Sequence, residues 1–211
     1  FGGCRYSRPP SSVDSYDSTS FDISARYDFA RNSVIFARLA SAFRAPQATE
    51  LYRLQRGQEV TDLKSENMRS AEVGLKLQTE LFSLVTSVYQ MSKDNVIFRD
   101  TNYNNVSDGR TEHRGIEVDF SYDLSDKMRI SVSGTHVRHR YDNNPALIRD
   151  GQGGQALIQG NDVDTAPRNF GSARISWKIR PSAQLELEWV KMGDYYLEPQ
   201  NIHRYEGHDL I

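Results

Sequence analysis

Residues Ile116-Glu117-Val118-Asp119-Phe120-Ser121-Tyr122-Asp123-Leu124 alternate apolar and polar side chains without a break. A period of two belongs to a β-strand, whose successive side chains leave on opposite faces. Phe21-Asp22-Ile23-Ser24-Ala25-Arg26-Tyr27-Asp28-Phe29 repeats the pattern, and weaker versions run through residues 71–77, 128–132, 173–179 and 185–189. Residues 34–43 and 81–98 are less regular, but they are β-branched and aromatic enough to be strands. The chain therefore reads as about eight strands in four hairpins, with the beginning of a ninth. None of these segments carries a 3.6-residue stripe, and only residues 51–55 suit a short turn of helix.

The connections alternate in length. Tight polar turns fall at Arg31-Asn32-Ser33, Thr79-Glu80, Ser125-Asp126-Lys127 and Arg180-Pro181-Ser182. Long irregular stretches cover about residues 44–66, 99–112, 142–168 and 193–206. Tight turns on one rim and long loops on the other match an antiparallel barrel threaded through a bacterial outer membrane. Many segments reach the roughly 9–11 residues that a tilted membrane strand needs. A typical globular strand has about five or six.

The polar face is heavily charged: Asp22, Arg26, Asp28, Glu117, Asp119, Asp123, Glu186 and Glu188. A basic residue turned to mid-bilayer lipid costs roughly 2–4 kcal/mol. The charged row must then face a wet lumen and the apolar row lipid, and a one-residue slip would reverse both. Tyr27, Phe29, Phe82, Tyr122 and Trp177 lie toward the tight turns. Phe21, Phe43, Tyr141, Tyr195 and Tyr196 lie toward the long loops. The two groups are expected to form the two interfacial aromatic belts.

Composition agrees. Of 211 residues, 37 % are hydrophobic and 26 % charged, a polar balance that a barrel tolerates because only alternate side chains meet lipid. No run of roughly 18 apolar residues exists to make a membrane helix. A formal charge of −2 without a basic block argues against nucleic acid. Cys4 is the single cysteine, so no disulfide closes within the chain; a free thiol and an upstream partner both remain open. The opening residues carry no leader pattern, and the chain stops at Asp209-Leu210-Ile211 as a new strand begins. The expectation is a piece of something larger, with residues 1–211 forming part of one barrel domain.

The rival architecture is a soluble secreted β-sandwich or propeller that presents long loops to a ligand. The hairpin spacing is close to that of propeller repeats, but a blade packs four short strands where this chain has two long ones.

Several fragments together resemble the barrel of TonB-dependent outer-membrane receptors. They are Ala42-Phe43-Arg44-Ala45-Pro46 with Glu50-Leu51-Tyr52; Glu66 with Ala71-Glu72-Val73-Gly74-Leu75-Lys76; and His113-Arg114-Gly115-Ile116-Glu117-Val118. Ala166-Pro167-Arg168-Asn169 follows, then Trp189 and Met192-Gly193-Asp194-Tyr195-Tyr196 with Asn201 and Tyr205-Glu206-Gly207. They occur in the family's order and span nearly the whole chain. The resemblance implies a 22-stranded barrel filled by an N-terminal plug and set in outer-membrane lipid. It implies uptake of a scarce nutrient, foremost a ferric siderophore, energised by the TonB complex through the plug. Neither a cofactor nor catalytic residues are implied.

The residues have physical readings of their own. Pro46 lacks an N–H and ends a ladder where the chain leaves the membrane. Gly74 and Gly115 lie in strands, where glycine marks a kink or a close backbone approach. Glu72 and Glu117 fall on the charged face, as wall electrostatics or plug contacts.

No nucleophile elbow, zinc motif, phosphate loop or dinucleotide fingerprint occurs, and an enzyme is not expected. His136 and His139, three apart, point to opposite faces of a strand, and with His113 they nominate no metal site. His203 and His208, beside Asp209, look no better. Ligand contacts are expected on inward positions near the long-loop rim: Arg44, Arg114, Arg138, Arg140 and Tyr141, with Arg53, Arg56 and Arg99 nearby. Guanidinium and phenol groups suit anionic, catechol or carboxylate ligands; the competing use is solvated loop charge. Leu147-Ile148 and Leu157-Ile158 in the longest loop are expected to cover something.

Overall fold

The computed structural model describes residues 6–7, 9–54, 58, 60–99, 105–145 and 156–211. Cys4, Arg56 and Leu147-Ile148 lie outside them. The strands are β1 (Phe21–Ala30), β2 (Ser33–Arg44), β3 (Glu66–Gln78), β4 (Phe82–Arg99), β5 (Asn105–Ser125), β6 (Met128–Tyr141), β7 (Asn169–Arg180) and β8 (Ala183–Met192). Three short ones follow, β9 (Tyr195–Tyr196), β10 (Arg204–Tyr205) and β11 (His208–Leu210). Strands β1 to β8 pair antiparallel in chain order, and β11 closes the row against β8, giving a nine-stranded sheet. The sheet does not close on itself. The eight strands and the ninth stub match the alternation of the sequence.

Three of the four tight turns carry a register shift in the last rungs beside them, at Asp28/Ala30, Asp123/Ser125 and Lys178/Arg180. Asn32 takes φ 61°, a left-handed conformation that asparagine tolerates.

The long-loop rim departs from expectation in three places. Residues 99–112 were expected to be a loop, yet β4 runs to Arg99 and β5 starts at Asn105, with 18 and 21 residues respectively. Loops pack over one side of this part of the ladder, where Thr111 and His113 are buried while Arg110 and Arg114 on the other side are exposed, so pairing continues although the apolar alternation has lapsed. The stretch 193–206 holds a small hairpin of β9 and β10. The helical turn, α1, begins earlier than expected and spans Ala48–Tyr52, with the Gln47 backbone N–H donating to Glu50 Oε2 at 2.6 Å.

Directly paired residues share a face, so the register assigns every side chain. One face carries Asp22, Arg38, Glu72, Tyr89, Glu117, Asp119, Arg174 and Glu188. The other carries Ile23, Leu39, Val73, Val88, Ile116, Phe120, Val132, Ile175 and Leu187. The apolar face has no second layer against it among the described residues: Ile23 is 63 % exposed, Leu39 55 % and Leu187 55 %. A sandwich or propeller core is thus not what these residues build. Below, "outward" means this apolar face and "inward" the charged one.

Buried apolar residues gather at the long-loop rim instead. Leu51, Leu54, Leu63, Ala156 and Ile158 lie on loops or α1, and Val137 near the top of β6. Ala156 and Ile158 pack with Phe98 and Tyr141, so Ile158 covers the rim as anticipated for its loop, whereas Leu157 is exposed.

The belts follow the register. Tyr27, Phe29, Phe82, Tyr122 and Trp177 are outward near the tight turns, and Phe21 and Phe43 are outward near the long loops. Tyr141 corrects the second belt. It pairs with Thr111 and so shares the inward face of His113 and His139. Tyr195 and Tyr196 leave the main sheet altogether.

Candidate functional site

The inward wall is a lattice of opposite charges. Arg38 pairs with Asp22, Arg26 with Asp28 (2.5 Å), Arg129 with Asp123 (2.7 Å) and Arg174 with Glu188 (2.9 Å). These pairs are well exposed and screened by solvent, so each contributes little net stability. Their effect is to keep the inward face wet and to fix the register. A polar groove of about 330 Å³ runs along this face, lined by Asp119, Ser121, Ser131, Ser133, Arg174 and Glu188.

Two inward aromatic rings lie over glycines of the neighbouring strand, Phe36 over Gly74 and Tyr89 over Gly115. A Cβ on Gly115 would stand 2.7 Å from Tyr89 Cζ, so the position has room for hydrogen only. The close approach at both glycines is to a ring, and the ladder passes through both without a register shift.

At the long-loop rim, Arg44 leaves the end of β2 on the inward side, opposite Glu66. Its Nε donates to Glu66 Oε2 (2.8 Å), and its Nη1 and Nη2 donate to the two oxygens of Glu50 (2.9 and 3.1 Å). Glu66 Oε1 meanwhile accepts from the Ile97 backbone N–H at 2.8 Å. Arg44 thus ties β2, α1 and β3 together. Arg53 is engaged likewise, donating to Tyr6 Oη at 3.3 Å and lying over its ring.

Tyr141 ends β6 above the apolar band, and its hydroxyl donates to Asp164 Oδ1 at 2.5 Å. Burial and that carboxylate push the phenol well above its ordinary pKa. Beside it, Arg168 bonds Asp162 Oδ2 at 2.5 Å, while Asp162 Oδ1 is buried with no partner in the structure. Next along the inward face, His113 and His139 are directly paired, with their Nδ1 atoms 2.6 Å apart, and Thr111 Oγ1 lies 2.9 Å from His113 Nε2. One imidazole donates and the other accepts. Lys93 sits on the same face, opposite Thr111. Sequence reasoning passed over Lys93 and the His113–His139 pair. Odd numbering throughout β5 and β6 was the available signal, because it sets both histidines on the face of Glu117 and Asp119.

Arg114, Arg138 and Arg140 are not on the inward side. Arg114 pairs with Arg138, and Glu112 with Arg140, on the face that continues into Ile116, Val118 and Val132. All three arginines are exposed. Of the five nominated rim residues, the fold brings only Arg44 and Tyr141 inward, and spends both on internal contacts. The histidine reading holds in one respect: His136 is outward and His139 inward.

A nine-stranded antiparallel sheet, apolar on one face and charged on the other, with its long loops packed at a single rim, matches the wall of a membrane β-barrel. The model of the TonB-dependent receptor-like β-barrel matches residues 2–210, and the chain belongs to that family. No curated protein matches the chain. Among solved structures, the ferric yersiniabactin uptake receptor FyuA from Yersinia pestis superposes with a TM-score of 0.70 at 16 % identity, over 89 % of this chain and 28 % of the receptor. The siderophore receptor PiuA from Acinetobacter baumannii gives 0.73 at 15 %, over 90 % and 28 %. The ferric citrate transporter FecA in its unliganded form gives 0.70 at 18 %, over 92 % and 30 %. At such identities the likeness is one of fold. The chain spans less than a third of the length of these proteins.

Proposed function

We propose that this chain forms part of the wall and outer rim of a bacterial outer-membrane transporter that takes up a scarce nutrient, foremost a ferric siderophore. The carrying observation is the family match over residues 2–210, on a sheet whose apolar side chains face away from its charges. Membership supports TonB as the source of energy, acting through a plug that these strands would surround. The siderophore and ferric citrate receptors among the similar folds favour an iron chelate as cargo. No step of such transport calls for a catalytic residue. Binding from outside, plug rearrangement and release inward suffice.

Within that reading, the cargo meets the inward rim. Lys93 and His139, both part-exposed on one face, offer a cation and an imidazole, which suits an anionic chelate. Arg44 shapes the same mouth by holding α1 against β3. The test is growth of a receptor-deficient strain that carries the full-length gene, on a panel of ferric chelates, with and without a functional TonB. TonB-dependent rescue by at least one chelate is expected. Rescue that survives loss of TonB, or no uptake from a correctly inserted protein, would overturn the proposal.

A further inference from the structure

The outward face carries a feature that uptake does not use. Beyond the apolar band lie five exposed arginines, Arg69, Arg110, Arg114, Arg138 and Arg140, spread over β3, β5 and β6. Arg114 and Arg138 stand directly opposite each other, where like charges repel. Among the described residues only Arg114 has a carboxylate in contact, Glu112 at 2.6 Å.

Immediately below this pair, toward the tight turns, is a groove of about 360 Å³. Its floor is the directly paired Gly134 and Gly171. Its walls include Ile116, Val118, Val132 and Trp189, with His136 at the arginine end. A Cβ on Gly134 would meet nothing within 4 Å, so the floor is open to an occupant. Gly171 is different, because a Cβ there would strike the Ser133 carbonyl. Larger residues are thereby excluded from half of the floor.

An apolar channel ending at two adjoining guanidinium groups has the shape and charge of one kind of molecule: an acyl chain below, an anionic phosphate above. Guanidinium groups bind phosphate in a bidentate fork. We infer that this face holds a phosphorylated lipid of the outer leaflet, its acyl chain over Gly134 and Gly171 and its phosphate on Arg114 and Arg138. The inference rests on the outer-membrane reading above, which sets the long-loop side of the band in the outer leaflet.

The test uses the full-length receptor carrying this chain, purified in mild detergent and reconstituted with bisphosphorylated lipid A or with the same lipid after phosphatase treatment. Retained lipid is counted by native mass spectrometry. The unaltered receptor should keep the phosphorylated lipid and release the dephosphorylated one. The double variant Arg114→Gln/Arg138→Gln should retain about tenfold less or lower, the loss expected of one or more charge-assisted hydrogen bonds. Gly134→Leu, at a position where an added Cβ meets nothing within 4 Å, occupies the groove and should also expel the lipid. Ferric-chelate uptake and heat-modifiable migration should stay unchanged in both variants. Equal retention by variants and parent, or equal retention of the dephosphorylated lipid, would overturn the site and leave the transporter reading standing. A receptor dimer that the same substitutions dissociate would overturn it too, by giving the face to protein.

Discussion

Gly115 is a single atom's difference away from a broken wall. Tyr89 covers it so closely that Gly115→Val must displace the ring or bend β5, and overpacking of this kind costs about 1–3 kcal/mol. Urea unfolding of the full-length receptor in lipid vesicles should reveal that loss, and Tyr89→Ala in the same background should recover much of it. If Gly115→Val unfolds like the parent, the ring is not held where it lies. On the neighbouring strand β6, parity decides which face a side chain takes. Arg138 and Arg140 share parity with Val132 and Ile130, and that parity alone put them outward. Nearness to the rim is not nearness to the lumen. Tyr141, one residue on, falls inward for the same reason. Arg44 could not be understood this way, because its partners Glu50 and Glu66 become neighbours only when the loop folds.

Among the elements, strands were legible where lipid enforces alternation and illegible above it. β1 and the lower half of β5 alternate perfectly; the upper ends of β4 and β5 do not, and their first reading was a loop. The buried side of the ladder there is lined by polar residues such as Thr111 and His113, so pairing leaves no apolar alternation in the sequence. Local polar clamps give such rim segments their order. Glu198 accepts from the backbone N–H groups of His203 (2.6 Å) and Ile202 (2.7 Å), and these bonds hold its carboxyl below the ordinary glutamate value. A lowered folded pKa means the clamp contributes above the unfolded value and is lost as pH falls through the folded one. The protection of the Ile202 and His203 amides, measured against the intrinsic exchange rate at each pH, should therefore fall as the pH drops below about 4.5. Glu198→Gln should lower that protection at neutral pH and abolish its acid dependence. Protection that stays constant with pH in the parent would refute the clamp.

For the molecule as a whole, the decisive property is the orientation of its two faces, and neighbouring residues test it. Ile23→Arg puts a charge on the outward side of β1 and should cost roughly 2–4 kcal/mol in a bilayer. Ser24→Glu, one position along, points inward directly opposite Arg38 and should cost next to nothing. Folding of both variants into vesicles, followed by urea titration, measures the difference; reversed costs would turn the wall inside out. Fold class, hairpin count and face assignment came from alternation, because burial in lipid is the strongest term acting on the chain. The rim site did not, because its contacts are long-range and its loops answer to no periodicity.

The height of the β4–β5 ladder has a consequence of its own. At about 3.4 Å per residue, the 21 residues of β5 extend roughly 70 Å. Tilted by about 45°, the strand rises some 50 Å, about twice the apolar belt of a barrel near 25 Å tall. In the proposed orientation this hairpin stands clear of the cell like a mast. Antibodies and phage tail fibres approaching from outside would meet it before they reach anything the pore transports.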